Sequence, residues 1–113
     1  MSKIRESARG MYCQIRLPGI CNHDPATTVW CHANGHAAGK GVGMKSHDLL
    51  GAYGCSNCHD VYDRRRGPSN FPGCEVTWPD VELAFHEGHQ RSLVILIERG
   101  VIVVLRGKVQ VAA

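Results

Sequence analysis

Apolar residues recur at helical spacing most clearly over residues 77–99. Val81, Phe85, Gly88, Ser92 and Leu96 share one stripe, and Val94, Ile95 and Ile97 widen the apolar surface near its end. Thr77 offers a cap, with Pro79 in the first turn and Asp80 three residues on. The pattern predicts a long helix that buries the main core and is weakened in its middle by Gly88. His86 and His89 read as surface residues of that helix. Beyond it, residues 101–111 read as two short strands around an Arg106-Gly107 turn. The first of these is apolar throughout, which suits burial on both faces or contact with a partner.

Upstream, the periodic segments are shorter. Residues 1–12 read as a short polar helix or arm. Gln14-Ile15-Arg16-Leu17 alternates polar and apolar as a strand would, and Pro18-Gly19 marks a turn. A hairpin or loop there would bring Cys13 and Cys21 together. His23 lies in a loop punctuated by Asn22, Asp24 and Pro25. Residues 29–33 look like a strand delivering His32 to a surface, with Cys31 on the opposite side, in the core. Residues 34–47 hold four glycines and two lysines without periodicity, and read as a flexible loop. Residues 48–54 lead as a strand or turn into Cys55. Residues 59–66 form a short helix candidate stopped by Gly67-Pro68, and 68–76 is loop.

A chain of 113 residues suits one domain, residues 1–113. Only 6% of it is aromatic against 43% hydrophobic, so the core is small and aliphatic and a metal staple would supplement it. The beginning of the sequence has no apolar signal core, and no apolar run is long enough to cross a membrane. A cytoplasmic, reducing setting is therefore expected, in which six cysteines favour metal over disulfides. Cys55 and Cys58 have the C-x-x-C spacing of a metal knuckle. With Cys13 and Cys21 they complete a four-thiolate set suited to tetrahedral Zn²⁺, the alternative being free, buried cysteines. Cys74 receives no role. Residues 1–66 carry nine Lys/Arg against five Asp/Glu, and residues 67–113 four against five. The half with the candidate metal ligands is thus the half suited to a polyanion. Lys40, Lys45, Arg64, Arg65 and Arg66 are the candidate phosphate contacts, a solvated basic surface being the alternative.

His59 directly follows the knuckle, and Asp63 lies one helical turn later, so the two share a face and offer a second ion an imidazole and a carboxylate. Cys13, Cys21, His32, Asp48, Cys55, Cys58, His59 and Asp63 together have the order C…C…H…(N/D)…C-x-x-C-H-x-x-x-(H/D). That order resembles the HNH endonucleases, the ββα-metal or His-Me finger group, over roughly residues 10–66. The whole chain also resembles a family of short nucleases of phages and prophages, with its Ala-Arg-Gly…Cys…Pro-Gly-x-Cys-Asn opening and its Cys-Ser-x-Cys-His-Asp…Asp-Arg-Arg segment.

The resemblance implies an α+β fold: a small ββα-metal core pinned by a four-cysteine zinc, followed over 77–111 by a helix and a short β-hairpin. It implies a metal-dependent endonuclease that hydrolyses DNA in phage or prophage DNA processing or recombination, in the cytoplasm of a bacterial host. His32 takes the place of the general base, Asp48 falls near the central Asn, and His59 with Asp63 hold Mg²⁺ or another divalent ion. Two departures stand out: Asp48 replaces Asn and sits seven residues before Cys55, and Cys31 stands where a carboxylate ligand often precedes the histidine. These residue types suit phosphodiester hydrolysis. A neutral histidine can accept a proton from water, and a sparsely ligated divalent ion keeps positions open for phosphate and water. DNA is the expected partner, with a homodimer through the apolar C-terminal region as a further possibility. The competing reading is a non-catalytic zinc module that binds nucleic acid or protein.

Overall fold

The computed structural model describes residues 2–34 and 47–112. Lys40 and Lys45, expected along a phosphate backbone, lie outside the described residues, as does His36. The described chain is α+β. It forms α1 (Lys3–Ser7), a 3-10 turn at Pro25–Thr27, β1 (Val29–His32), β2 (Gly51–Gly54) and α2 (Ser56–Tyr62). A 3-10 turn at Pro68–Asn70, α3 (Trp78–Glu98), β3 (Ile102–Leu105) and β4 (Lys108–Val111) follow.

β1 and β2 pair antiparallel, with Trp30 opposite Tyr53, Cys31 opposite Ala52 and His32 opposite Gly51. Directly opposed residues share a face and successive residues alternate, so the ribbon has two distinct sides. Cys31 and Ala52 face a core made with Ile15, Leu17, Cys58, Val61 and Phe85. Trp30 and Tyr53 face a second core with Ile4, Ala8, Leu96 and Ile102, and their rings meet edge-on at 5.2 Å. His32 belongs to the Trp30 side. Gly51 makes room for that indole, since a Cβ there would lie 2.5 Å from Trp30 Nε1.

α3 runs along the open edge of β2. An unpaired strand edge exposes backbone donors and acceptors to other chains. Here Tyr53 N–H donates to Ser92 Oγ (3.0 Å), the imidazole Nδ1–H of His89 donates to Gly51 O (2.6 Å), and Gln14 N–H donates to Tyr53 O (2.8 Å). His89 is therefore half-buried and bonded, not the surface residue its sequence context suggests. Gly88 has a packing reason of the same kind. A Cβ there would lie 2.9 Å from Gln14 O and 3.1 Å from Ile15 Cα, so its absence lets the N-terminal segment cross the helix.

The expected stripe of Val81, Phe85, Gly88, Ser92 and Leu96 is the buried set of α3, and Thr77 and Asp80 form the expected capping box. Val94 and Ile97 do not widen the core; both are more than half exposed.

Three other expectations are corrected. Residues 14–17 form no strand: Arg16 takes a left-handed φ of 56°, and its N–H donates to Cys13 Sγ. Ile15 and Leu17 are both buried, so the alternation marked an inward-folded loop. The short helix begins at Ser56 rather than 59, because Cys55 Sγ accepts Cys58 N–H as its cap, and it ends before Arg64, at φ 61°. β3 is buried only at its start: Ile102 is in the core, whereas Val104 and Leu105 are exposed.

Candidate metal centre and the histidine–carboxylate pairs

The four sulfurs come from two places. Cys55 and Cys58 flank the start of α2, while Cys13 and Cys21 bound the inward-folded loop. That loop is tied down by Asn57 Nδ2–H donating to Ile20 O (3.0 Å) and Asn22 Nδ2–H donating to Ser56 Oγ (3.0 Å). All four Sγ atoms lie within 4.8 Å of one another, and Cys21 and Cys55 Sγ are 3.8 Å apart. A tetrahedron with zinc–sulfur arms of ~2.3 Å has edges of about 3.8 Å, so the set fits a metal ion such as zinc. Thiol hydrogen bonds from Cys13 and Cys58 pull Cys55 far down, hydrogen bonding with Cys13 and Cys55 pushes Cys58 up, and burial pushes Cys21 up to about 12. Thiolate is the form that binds a cation, so an ion among the four sulfurs would favour their ionisation.

The other two cysteines stand apart from this set. Cys31 is fully buried, and burial, with Asp63 nearby, pushes its thiol well up, so it acts as a small core side chain. Cys74 Sγ–H points to Pro18 O (3.7 Å). His23, read from sequence as a plain loop residue, brings Nδ1 to 3.7 Å from Cys21 Sγ. A histidine two residues after a cysteine of the four-sulfur set is the only sequence signal for it.

The histidines and carboxylates form two separate pairs. His32 Nε2 lies 3.1 Å from Asp48 Oδ1, which Arg5 also approaches at 3.5 Å. Trp30 Nε1–H donates to Asp48 O (2.7 Å), so the ribbon anchors Asp48 through its backbone as well. The His32 hydrogen bond, helped by Ser2 and Arg5, holds the Asp48 carboxyl below its usual range. On α2, His59 Nε2 and Asp63 Oδ2 are 3.0 Å apart, the one-turn pairing their spacing implies. This is an ion-pair distance and also the edge of an octahedron with metal–ligand arms of ~2.1 Å, so the two atoms fit neighbouring ligand positions on one divalent ion. By the strand alternation, His32 lies on the α1 side of the ribbon, while α2 packs on the Cys31 side. Among the described residues, only the four cysteines make a group of three or more metal-ligating side chains with mutually close ligand atoms.

The arginine run already has partners within the chain. Arg65 reaches Asp60 (3.4 Å) and Asp63 (3.3 Å), and Arg66 reaches Asp60 (3.3 Å) and Asn57 Oδ1 (2.7 Å). Arg64 lies over the Trp78 ring at 4.2 Å and Arg66 over Phe71 at 4.7 Å. All three remain exposed.

Residues 2–101 match the family model described as "Putative nuclease YbcO". The chain belongs to the YbcO family. It is similar to "Putative nuclease YbcO" of Escherichia coli K12, 40% identical over 103 residues, spanning 90% of this chain and 98% of the relative. The same figures hold for "Putative nuclease ybcO" of Enterobacteria phage 82. A solved structure, "Structure of a putative bacteriophage protein from Escherichia coli str. K-12 substr. MG1655", is 36% identical and superimposes with a TM-score of 0.68 over 87% of this chain and all of that one. The family match includes every described site residue and ends just before β3. Among the described residues, no helix is long and apolar enough to cross a membrane.

Proposed function

We propose that the chain is a metal-dependent endonuclease of HNH type, acting on DNA in phage or prophage DNA processing, as one domain over residues 1–113. The nuclease names of its relatives support the general class. The His59–Asp63 pair, mounted on α2 directly after the four-cysteine cluster, is the observation that carries the finer reading. In it, the four cysteines hold a structural zinc that fixes where α2 begins. His59 and Asp63 hold Mg²⁺ or another divalent ion, which when bound would polarise the scissile phosphate and stabilise the leaving oxygen. His32 accepts the proton of the attacking water. Its Nε2–H donates to Asp48, leaving Nδ1 as the basic nitrogen, so Asp48 acts as a positioning residue. Arg64, Arg65 and Arg66, together with Lys40 and Lys45, hold the phosphate backbone without reading sequence. A second copy of the chain would meet the exposed Val94, Ile97, Val104 and Leu105.

The test is replacement of His32 by Ala. Cleavage should fall at least ~100-fold while zinc content and melting temperature stay near wild type. The reading fails if the purified protein cuts no duplex, nicked or branched DNA with Mg²⁺, Mn²⁺ or Ni²⁺. One observation favours the competing reading of a non-catalytic zinc module: among the described residues, His32, His59 and Asp63 join no group of three or more mutually close metal-ligating side chains. A metal count separates the two. A second divalent ion that is lost in His59→Ala supports the enzyme, and one ion per chain in both proteins supports the binding module.

A further inference from the structure

The residues that follow His32 and precede Asp63 line a pocket that neither histidine–carboxylate pair lines. It has a volume of about 360 Å³ and lies between the exit of β1, the end of α2 and the N-terminal half of α3. Ala33 and Asn34 lead into it from His32, and Tyr62, next to Asp63, forms its floor with Phe85. Those two rings stack at 3.9 Å, nearly parallel. Asn34 joins the walls, since its N–H donates to the Tyr62 hydroxyl (2.9 Å) and its Nδ2–H to Tyr62 O (3.1 Å). The volume is at the small end of the ~300–1,000 Å³ typical of small-molecule sites.

The polar lining is rich in acceptors. Glu82 contributes a carboxylate. His89 spends its Nδ1–H on Gly51 O, which leaves Nε2 as the acceptor of the neutral ring. His86 is exposed, its ring meeting that of Phe85 edge-on at 6.2 Å. Among the described residues, no lysine or arginine lines the pocket, which disfavours phosphate or any other anion. A single metal ion suits it poorly: Glu82, His86 and His89 climb α3 over about 10 Å, and their ligand atoms do not form a mutually close group. A flat ligand with several N–H donors matches acceptors spread in this way.

We propose that this pocket takes one unpaired nucleobase of the DNA strand beside the cleavage site, and takes guanine best. Guanine presents adjacent ring and amino N–H donors that a carboxylate such as Glu82 accepts together, whereas adenine and cytosine offer a single amino group and thymine a single ring N–H. His86 supplies a ring for the base to stack on. The inference rests on the nuclease reading and adds to it a preference for DNA with an extruded base.

The experiment is fluorescence anisotropy of the zinc-loaded protein with duplexes carrying one bulged G, A, C or T, without added divalent ion so that nothing is cut. The G bulge should bind roughly tenfold tighter than the T bulge, the scale of one good bidentate contact. Glu82→Gln should bring the four bulges within about twofold of one another, and His86→Ala should weaken all of them. Both side chains are exposed, so each variant should keep the wild-type melting temperature. Equal affinity for all four bulges in the wild type overturns the proposal, as does a G preference that survives Glu82→Gln. Stoichiometric uptake of Zn²⁺ or Ni²⁺ that is lost in His86→Ala also overturns it and makes the pocket a cation site. Base preference without cleavage sinks the nuclease reading alone, and cleavage without base preference sinks the pocket alone.

Discussion

The two sides of the β1–β2 ribbon are built differently. On the Cys31 side, sulfur dominates: Cys13, Cys31, Cys55 and Cys58 are all buried in one cluster, and a loop with no regular structure supplies Ile15, Leu17 and Ile20. On the Trp30 side the core is conventional, with Ile4, Ala8, Tyr53, Leu96 and Ile102 coming mostly from helices and strands. There the Tyr53 hydroxyl donates to Ser7 Oγ (2.7 Å), which in turn donates to Ile4 O (2.6 Å). Each side also presents one histidine–carboxylate pair. The contrast implies that one chain uses two ways of fixing a histidine: a helix that starts within the four-cysteine set for His59 and apolar packing of a strand for His32. A domain this small gains little from its core alone, so the loop-rich side is where a metal contributes most.

The strongest way to break that contrast is to remove the metal. Structural zinc in small domains contributes on the order of 10 kcal/mol, coupled to folding. Chelation, or Cys58→Ser, should abolish amide-exchange protection in α2 and residues 13–21, with a smaller loss in α1 and the C-terminal half of α3. Protection of α2 that survives complete zinc loss would mean that both sides are held by ordinary packing.

The proposed cleavage activity supplies the next largest expected effect. His59→Ala and His32→Ala should each lower cleavage by about 10²–10⁴-fold, but only His59→Ala should abolish binding of the second divalent ion. Single-turnover assays with a parallel Mn²⁺ titration would show this. Matching losses of ion binding in both variants would place the two pairs in one shared ligand set, contrary to the alternation of the strand.

Much of this was readable from the chain because the signals were local. The stripe from Val81 to Leu96, the Thr77–Asp80 cap, the one-turn spacing of His59 and Asp63, and the C-x-x-C knuckle each depend on neighbours a few residues away. What escaped depends on distant partners. His89 looks solvated until the Gly51 carbonyl, 38 residues away in sequence, comes to its ring. Gly88 looks like a weak point until Gln14 crosses it. Ile15 and Leu17 alternate like a strand, but both are buried in a loop that bends at Arg16, whose φ is 56°. Which side of the ribbon Asp48 and His32 occupy became visible only once the pairing register was known.

Gly88→Ala tests one of those long-range effects. In an exposed helix the change would gain about 1 kcal/mol. Here the added Cβ meets backbone that cannot swing aside, so a net loss of roughly 1–3 kcal/mol is expected by urea denaturation. Any gain in stability would mean that the N-terminal segment yields easily.

Acid should separate the two sides. Thiolates hold a metal only while deprotonated, so lowering the pH should release zinc first and loosen the α2 side. The Asp48 carboxyl is held below its ordinary range, chiefly by the His32 hydrogen bond. Its stabilisation is therefore complete above about pH 4 and fades only as the pH falls through the lower folded value. Asp48→Asn should remove that late acid step and cost less than about 1 kcal/mol at neutral pH, because the carboxylate is 41% exposed. NMR of the His32 ring and zinc release, followed in one acid titration, would show the order.

The smallest effect is expected at the C-terminal hairpin, which lies beyond the family match. Val104 and Val109 face each other across β3 and β4 and are 56% and 49% exposed, so Thr at either position removes little buried surface. Each change should alter stability by no more than ~0.5 kcal/mol in dilute solution. A two-stranded hairpin is marginal by itself in water, and here Ile102 at its base supplies the anchor to the Trp30-side core. Measuring the Tm of Val104→Thr at several protein concentrations gives this prediction its edge. A larger loss that grows with concentration would mean that a second copy covers the hairpin, and the Trp30 side would then extend across two chains.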